Sequence, residues 1–94
     1  MGARKFGDKL NIVSKNIIRY RKAKKISQAK LAEKLQLMGI NMFSSDIYTI
    51  ENEKRTVKDY ELLGIAIALG VKIEDLYEDN EELKVLYKEK NGRI

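Results

Sequence analysis

The 94-residue chain contains no cysteine, no histidine, no proline and no tryptophan. Without cysteine there is no disulfide and no thiolate metal site. Without histidine the commonest general base and imidazole ligand are missing too. Catalysis would have to run on carboxylates and Ser, Thr or Lys side chains. No paired-carboxylate or nucleophile–base constellation stands out, and Ser44-Ser45-Asp46 reads better as a helix start. The expectation is a chain with no enzymatic activity, no cofactor and no metal. The missing proline and the scatter of six glycines leave no linker, low-complexity tract or repeat. No stretch approaches the ~20 apolar residues that cross a bilayer. Met1 to Phe6 has charge but no apolar run behind it, unlike a signal peptide. Phe6 stands where N-myristoylation would need Ser or Thr. These absences predict a cytoplasmic chain with no membrane partner.

What is present is 44% hydrophobic and 35% charged, enough to build one small core. The net charge is +5, and it is unevenly spread. Residues 1–34 hold eleven basic residues against Asp8 and Glu33, a net +9. Residues 73–90 hold seven acids against Lys84, Lys88 and Lys90, a net −4. A basic end seeks a polyanion, either nucleic acid or an anionic membrane surface. The membrane reading is weak, because the Lys-rich first helix has no exposed apolar face opposite its polar one. Any single lysine is more simply part of a solvated face.

The apolar spacing is helical. A first helix is predicted from Lys9 or Ile12 to Lys24, with Val13, Ile17 and Tyr20 on one face. Ser27 is an N-cap for a second helix, Gln28 to about Leu35, buried through Leu31, Ala32 and Leu35. Lys30 stands where a capping box would want Glu or Gln. Either the amides of Gln28 and Ala29 and the Lys30 ammonium hold a phosphate, or Lys30 points into water. A loop follows from Gln36 to Met42, with Leu37, Met42 and Phe43 expected as core plugs around it. A third helix covers Ser44 to Asn52, with Ile47 and Ile50 inward. A fourth runs from Lys58 to Leu69 on the stripe Leu62, Ile65, Ala66 and Leu69, closed by Gly70. A short fifth helix spans Glu74 to Tyr77. A tail helix covers Glu81 to Lys90, with Leu83, Leu86 and Tyr87 as its stripe. The division is a basic arm (1–11), a compact domain (12–78) and the tail (79–94).

The second and third helices form an αα unit of helix-turn-helix size, flanked on both sides by cations. The strings Ser27-Gln28-Ala29-Lys30-Leu31-Ala32-Glu33-Lys34-Leu35, Ile47-Tyr48-Thr49-Ile50-Glu51-Asn52, Lys54-Arg55 and Tyr60 to Val71 resemble the Cro/C1-type (XRE) phage-repressor domain over about residues 12–77. That resemblance implies an all-α, five-helix lambda-repressor-like fold. It implies that the third helix enters the major groove of double-stranded DNA, with Ser44, Ser45, Tyr48 and Thr49 facing bases. It also implies phosphate contacts from Gln28, Asn52, Lys54 and Arg55, to which the first turn of the second helix adds Lys30, and an ion pair between Arg21 and Glu51.

The sequence departs from that pattern in three places. Fourteen residues (36–49) separate Leu35 from Ile50, so the loop is longer or the second helix extends. Glu53 replaces the usual glycine, which assigns the left-handed cap to Asn52. No Gln or Arg occupies the base-reading positions. The function that follows is a sequence-specific regulator, a repressor, binding DNA as a homodimer, with Ile67, Leu83, Leu86 and Tyr87 as candidate dimer contacts. The other reading is an antitoxin-like or partner-controlled module with weak DNA binding, suggested by the mild base-reading set and the acidic end.

Overall fold

The computed structural model describes residues 6–80. Four α-helices and a 3-10 helix follow in order: α1 (Ser14–Ala23), α2 (Gln28–Leu37), α3 (Ser44–Glu51), α4 (Asp59–Leu69) and the 3-10 helix Ile73–Tyr77. Among the described residues there is no strand, only an isolated bridge between Phe6 and Lys9. The molecule is all-α, and the fifth helical segment winds as a 3-10 turn. The expected tail helix, with Leu83, Leu86 and Tyr87, lies outside the described residues.

Local chemistry sets the helix starts. The Ser27 hydroxyl accepts from the Lys30 amide at 3.0 Å and opens α2. At α3, α4 and the 3-10 helix a carboxylate three residues in reaches back to the cap amide instead. Asp46 accepts from the Phe43 amide, Glu61 from Lys58 and Asp75 from Lys72, all at 2.8–2.9 Å. α1 begins at Ser14, later than Ile12, with Val13 as its cap residue; in the turn before it, Asn11 Oδ1 accepts from the Val13 and Ser14 amides at 3.1 and 3.0 Å.

All four α-helices end in the same Schellman turn. The amides of Ile26, Ile40, Lys54 and Val71 close onto the carbonyls of Arg21, Leu35, Thr49 and Ala66. The left-handed residues are Lys25 (φ 56), Gly39 (φ 82), Glu53 (φ 61) and Gly70 (φ 70). Asn52, expected at that position, instead has φ −97 and precedes it. The Glu53 amide bonds to Ile50 and the Lys54 amide to Thr49, which moves the reversal one residue on. Glu53 is held there by the Leu10 amide on its carbonyl (3.2 Å) and the Ser14 hydroxyl on its carboxylate (3.2 Å).

The core collects Val13 and Ile17 from the start of α1, Leu31, Ala32 and Leu35 from α2, Ile47 and Ile50 from α3, Leu62, Ile65, Ala66 and Leu69 from α4, with Met42 and Leu76. Of the three expected loop plugs only Met42 is buried; Leu37 is 84% exposed and Phe43 56%. The reason is helical phase. α2 runs two residues past Leu35, so Leu37 is turned roughly 200° from the buried stripe. Phe43 is the cap of α3 and stands outside its first turn. The six-residue turn between α2 and α3 is nonetheless pinned. Met42 is fully buried, and Gln36 Nε2 donates to the Met42 carbonyl at 2.7 Å. Ile40 lies against Gly64 of α4, so close that a β-carbon there would meet its Cδ1 at 2.3 Å and Leu35 Cδ2 at 2.9 Å.

Candidate nucleic-acid interface

α3 is anchored by one face and both ends, which leaves its other face outward. Ile47, Ile50 and Glu51 are buried. Arg21 of α1 donates through Nε to Glu51 Oε2 at 2.6 Å and through Nη2 to Oε1 at 3.0 Å. The two side chains are 11% and 5% exposed. A nearly buried pair is tolerable only if its polar atoms are satisfied. Gln28 Nε2 adds a third bond to Glu51 at 2.9 Å, and Arg21 Nη1 donates to the Ile26 carbonyl at 2.8 Å. One carboxylate therefore joins α1, α2 and α3.

Two residues that the sequence reading passed over complete the frame. Asn11 Nδ2 donates to the carbonyls of Ile50 and Arg55, both at 3.0 Å, tying the chain before α1 to the end of α3. Asn16, 2% exposed, donates to the carbonyls of Leu76 and Glu78 at 3.0 and 2.8 Å. Asn16 had a legible signal: with Val13, Ile17 and Tyr20 it completes the i, i+3, i+4, i+7 stripe, as a polar member of an apolar face. Asn11 had none for this tie, because the two carbonyls to which it donates lie about 40 residues away.

On the outward face, Ser44, Ser45 and Tyr48 are exposed. Thr49 is half-buried, and its hydroxyl bonds back to the carbonyls of Ser45 (3.1 Å) and Asp46 (2.9 Å). That hydroxyl has only acceptor capacity to offer. Asn52 turns its amide onto the Tyr48 carbonyl at 2.8 Å.

The residues expected on phosphates divide. Lys54 is exposed just past α3. Lys30 is exposed and paired with Glu33 at 2.6 Å within α2. Gln28 is half-buried and engaged with Glu51. Arg55 is drawn inward. Its two terminal nitrogens each meet a Glu61 oxygen at 2.9 Å, and Nε lies 3.8 Å from Asp46 Oδ1. Its guanidinium holds the Glu61 carboxyl below the usual carboxylate range, and the Lys58 amide acts the same way.

A family model described as the Cro/C1-type helix-turn-helix DNA-binding domain matches residues 16–82, more than two thirds of the chain. The chain belongs to this family. No curated protein matches it. In the family's terms, α2 and α3 are the helix-turn-helix pair of a DNA-binding domain of a transcription regulator, and DNA is its partner. α3 is the second helix of that pair. Among the described residues no helix is long and apolar enough to cross a membrane.

Proposed function

We propose that this protein is a sequence-specific, cytoplasmic transcriptional repressor that binds double-stranded DNA as a homodimer. The observation that carries the reading is the rigid outward face of α3: Ser44, Ser45 and Tyr48 exposed over a helix held by Ile47, Ile50 and the Arg21–Glu51–Gln28 network. Hydroxyls both donate and accept, so they meet base edges of either kind, and Thr49 adds an acceptor at the rim. Lys54 grips the phosphate backbone at one end of α3; Gln28 and Lys30 meet it at the start of α2, and Asn52 beside Lys54. Contact by Arg55 requires that it exchange Glu61 for a phosphate oxygen. A protein seated in the groove excludes other proteins from the same site, which is repression in its simplest form.

The dimer contact falls on α4. Tyr60, Leu63 and Ile67 are each more than half exposed and share one face at i, i+3 and i+7. The other candidate contacts, Leu83, Leu86 and Tyr87, lie outside the described residues. The same stripe supports the second reading, a partner-controlled module of antitoxin type with weak DNA binding.

The test is a binding titration on a duplex selected from a random library. The expected result is a linear fall of log K with log[salt], with a slope of about −0.9 per phosphate neutralised. Affinity indifferent to salt, or a protein partner held more tightly than any selected duplex, would overturn the DNA reading in favour of the module.

A further inference from the structure

Phe43 sits at the leading tip of α3. Its backbone is extended (φ −115, ψ 169), its amide donates to Asp46 Oδ2 at 2.8 Å, and its carbonyl accepts from the Asp46 and Ile47 amides. Three backbone hydrogen bonds therefore fix the residue, while the ring remains 56% exposed. A single exposed phenylalanine is unremarkable on a protein surface. Its place is what gives it meaning. It directly precedes Ser44 and Ser45, at the end of the helix whose first residues meet base edges. None of Phe43, Ser44, Ser45 and Tyr48 carries the amide or guanidinium that reads adenine or guanine bidentately. This tip offers a phenyl ring and hydroxyls. The apolar feature that a base presents in the major groove is the 5-methyl group of thymine.

We propose that Phe43 is a specificity-determining residue that packs its ring on a thymine 5-methyl group, so that each half-site carries a thymine under the tip of α3. The inference rests on the DNA-binding reading above and adds the chemical class of base read. The other exposed apolar residues of the turn, Leu37 and Met38, belong to the opposite, C-terminal end of α2, away from its phosphate-facing start.

The test uses the full chain and a duplex selected from a random library. Each thymine in the selected site is replaced in turn by deoxyuridine, which removes the methyl and leaves base pairing intact. Wild type should lose about fourfold in affinity at one thymine per half-site, the value of one buried methyl. Phe43→Ala should bind the thymine and deoxyuridine duplexes equally at that position, and Phe43→Leu should retain most of the difference. Because the ring is exposed, Phe43→Ala should melt within a few degrees of wild type. Selected half-sites without thymine, equal binding at every replaced position, or a difference that persists in Phe43→Ala would each overturn the proposal while leaving DNA binding standing. Failure to select any duplex would remove both readings.

Discussion

At residue scale, two side chains that close α-helices occupy backbone positions that suit glycine. Glu53 and Lys25 both have positive φ, a conformation that costs an L-residue on the order of 1 kcal/mol. They differ in what holds them. Glu53 has the Ser14 hydroxyl on its carboxylate and lies 3.9 Å from the Lys9 ammonium. Lys25 is exposed, with no side-chain bond among the described residues. Lys25→Gly should therefore stabilise the fold by about 0.5–1 kcal/mol, raising Tm by a few degrees. A lowered Tm in a thermal melt without DNA would refute this. Arg55 and Glu61 give a pH prediction. The Arg55 bonds lower the Glu61 pKa, so the ionised carboxylate favours the folded state. That contribution is fully present above the ordinary carboxylate value of ~4.3, and is lost as pH falls through the lowered one. Denaturant unfolding at pH 7 and pH 3 should show a smaller acid loss in Glu61→Gln than in wild type. An equal loss in the two would show that the pair does not carry it.

At the scale of elements, the question is how an eight-residue helix keeps its orientation. α3 is too short to be stable by itself. Its position comes from Ile47 and Ile50 in the core, the Glu51 carboxylate bonded to α1 and α2, and Asn11 on its last turn. The turn before it is longer than a tight helix-turn-helix connection, yet it is clamped by Met42, Gln36 and the fit of Ile40 against Gly64. Gly64 is inside α4, where glycine costs roughly 1 kcal/mol of helix propensity. Its compensation is the close approach of Ile40 and Leu35. Gly64→Val should destabilise by about 1–3 kcal/mol through overpacking, against any gain in propensity. Because the displaced residues lead into α3, DNA affinity should fall as well. Unchanged unfolding midpoint and affinity would show that the turn repacks freely.

At the scale of the molecule, the charges form two regions that meet. The acidic run starts at the 3-10 helix, where Arg19 of α1 bonds Glu78 at 3.0 Å and approaches Asp79 at 3.9 Å. Tyr20 donates to the same Glu78 carboxylate. Arg19, like Arg21, is thereby committed to the fold, whereas Lys54 beside α3 is exposed. If the α4 stripe pairs two copies about a two-fold axis, Ile67→Glu places like charges across that contact. Sedimentation should then show the variant as a monomer where wild type is a dimer. Footprinting of wild type should protect two half-sites about one helical turn apart. A dimer that survives Ile67→Glu would move the contact elsewhere.

The apolar spacing by itself determined the order and inner faces of the helices between residues 6 and 80. Burial of a stripe every three to four residues has few solutions, and Ser27 and Gly70 mark their boundaries through local hydrogen bonding. The Cro/C1 strings likewise placed Ser44, Ser45 and Tyr48 on one helix. Only the tertiary structure decided which polar side chains are spent inside the protein. Arg55 on Glu61, Gln28 on Glu51 and Asn11 on Ile50 are pairings between segments 6 to 39 residues apart. Phe43 shows the same limit from the other side: hydrophobicity alone sent it to the core, and the phase of the turn sent it to the surface. A side chain's partner is set by where the whole backbone brings its neighbours, which local spacing does not encode.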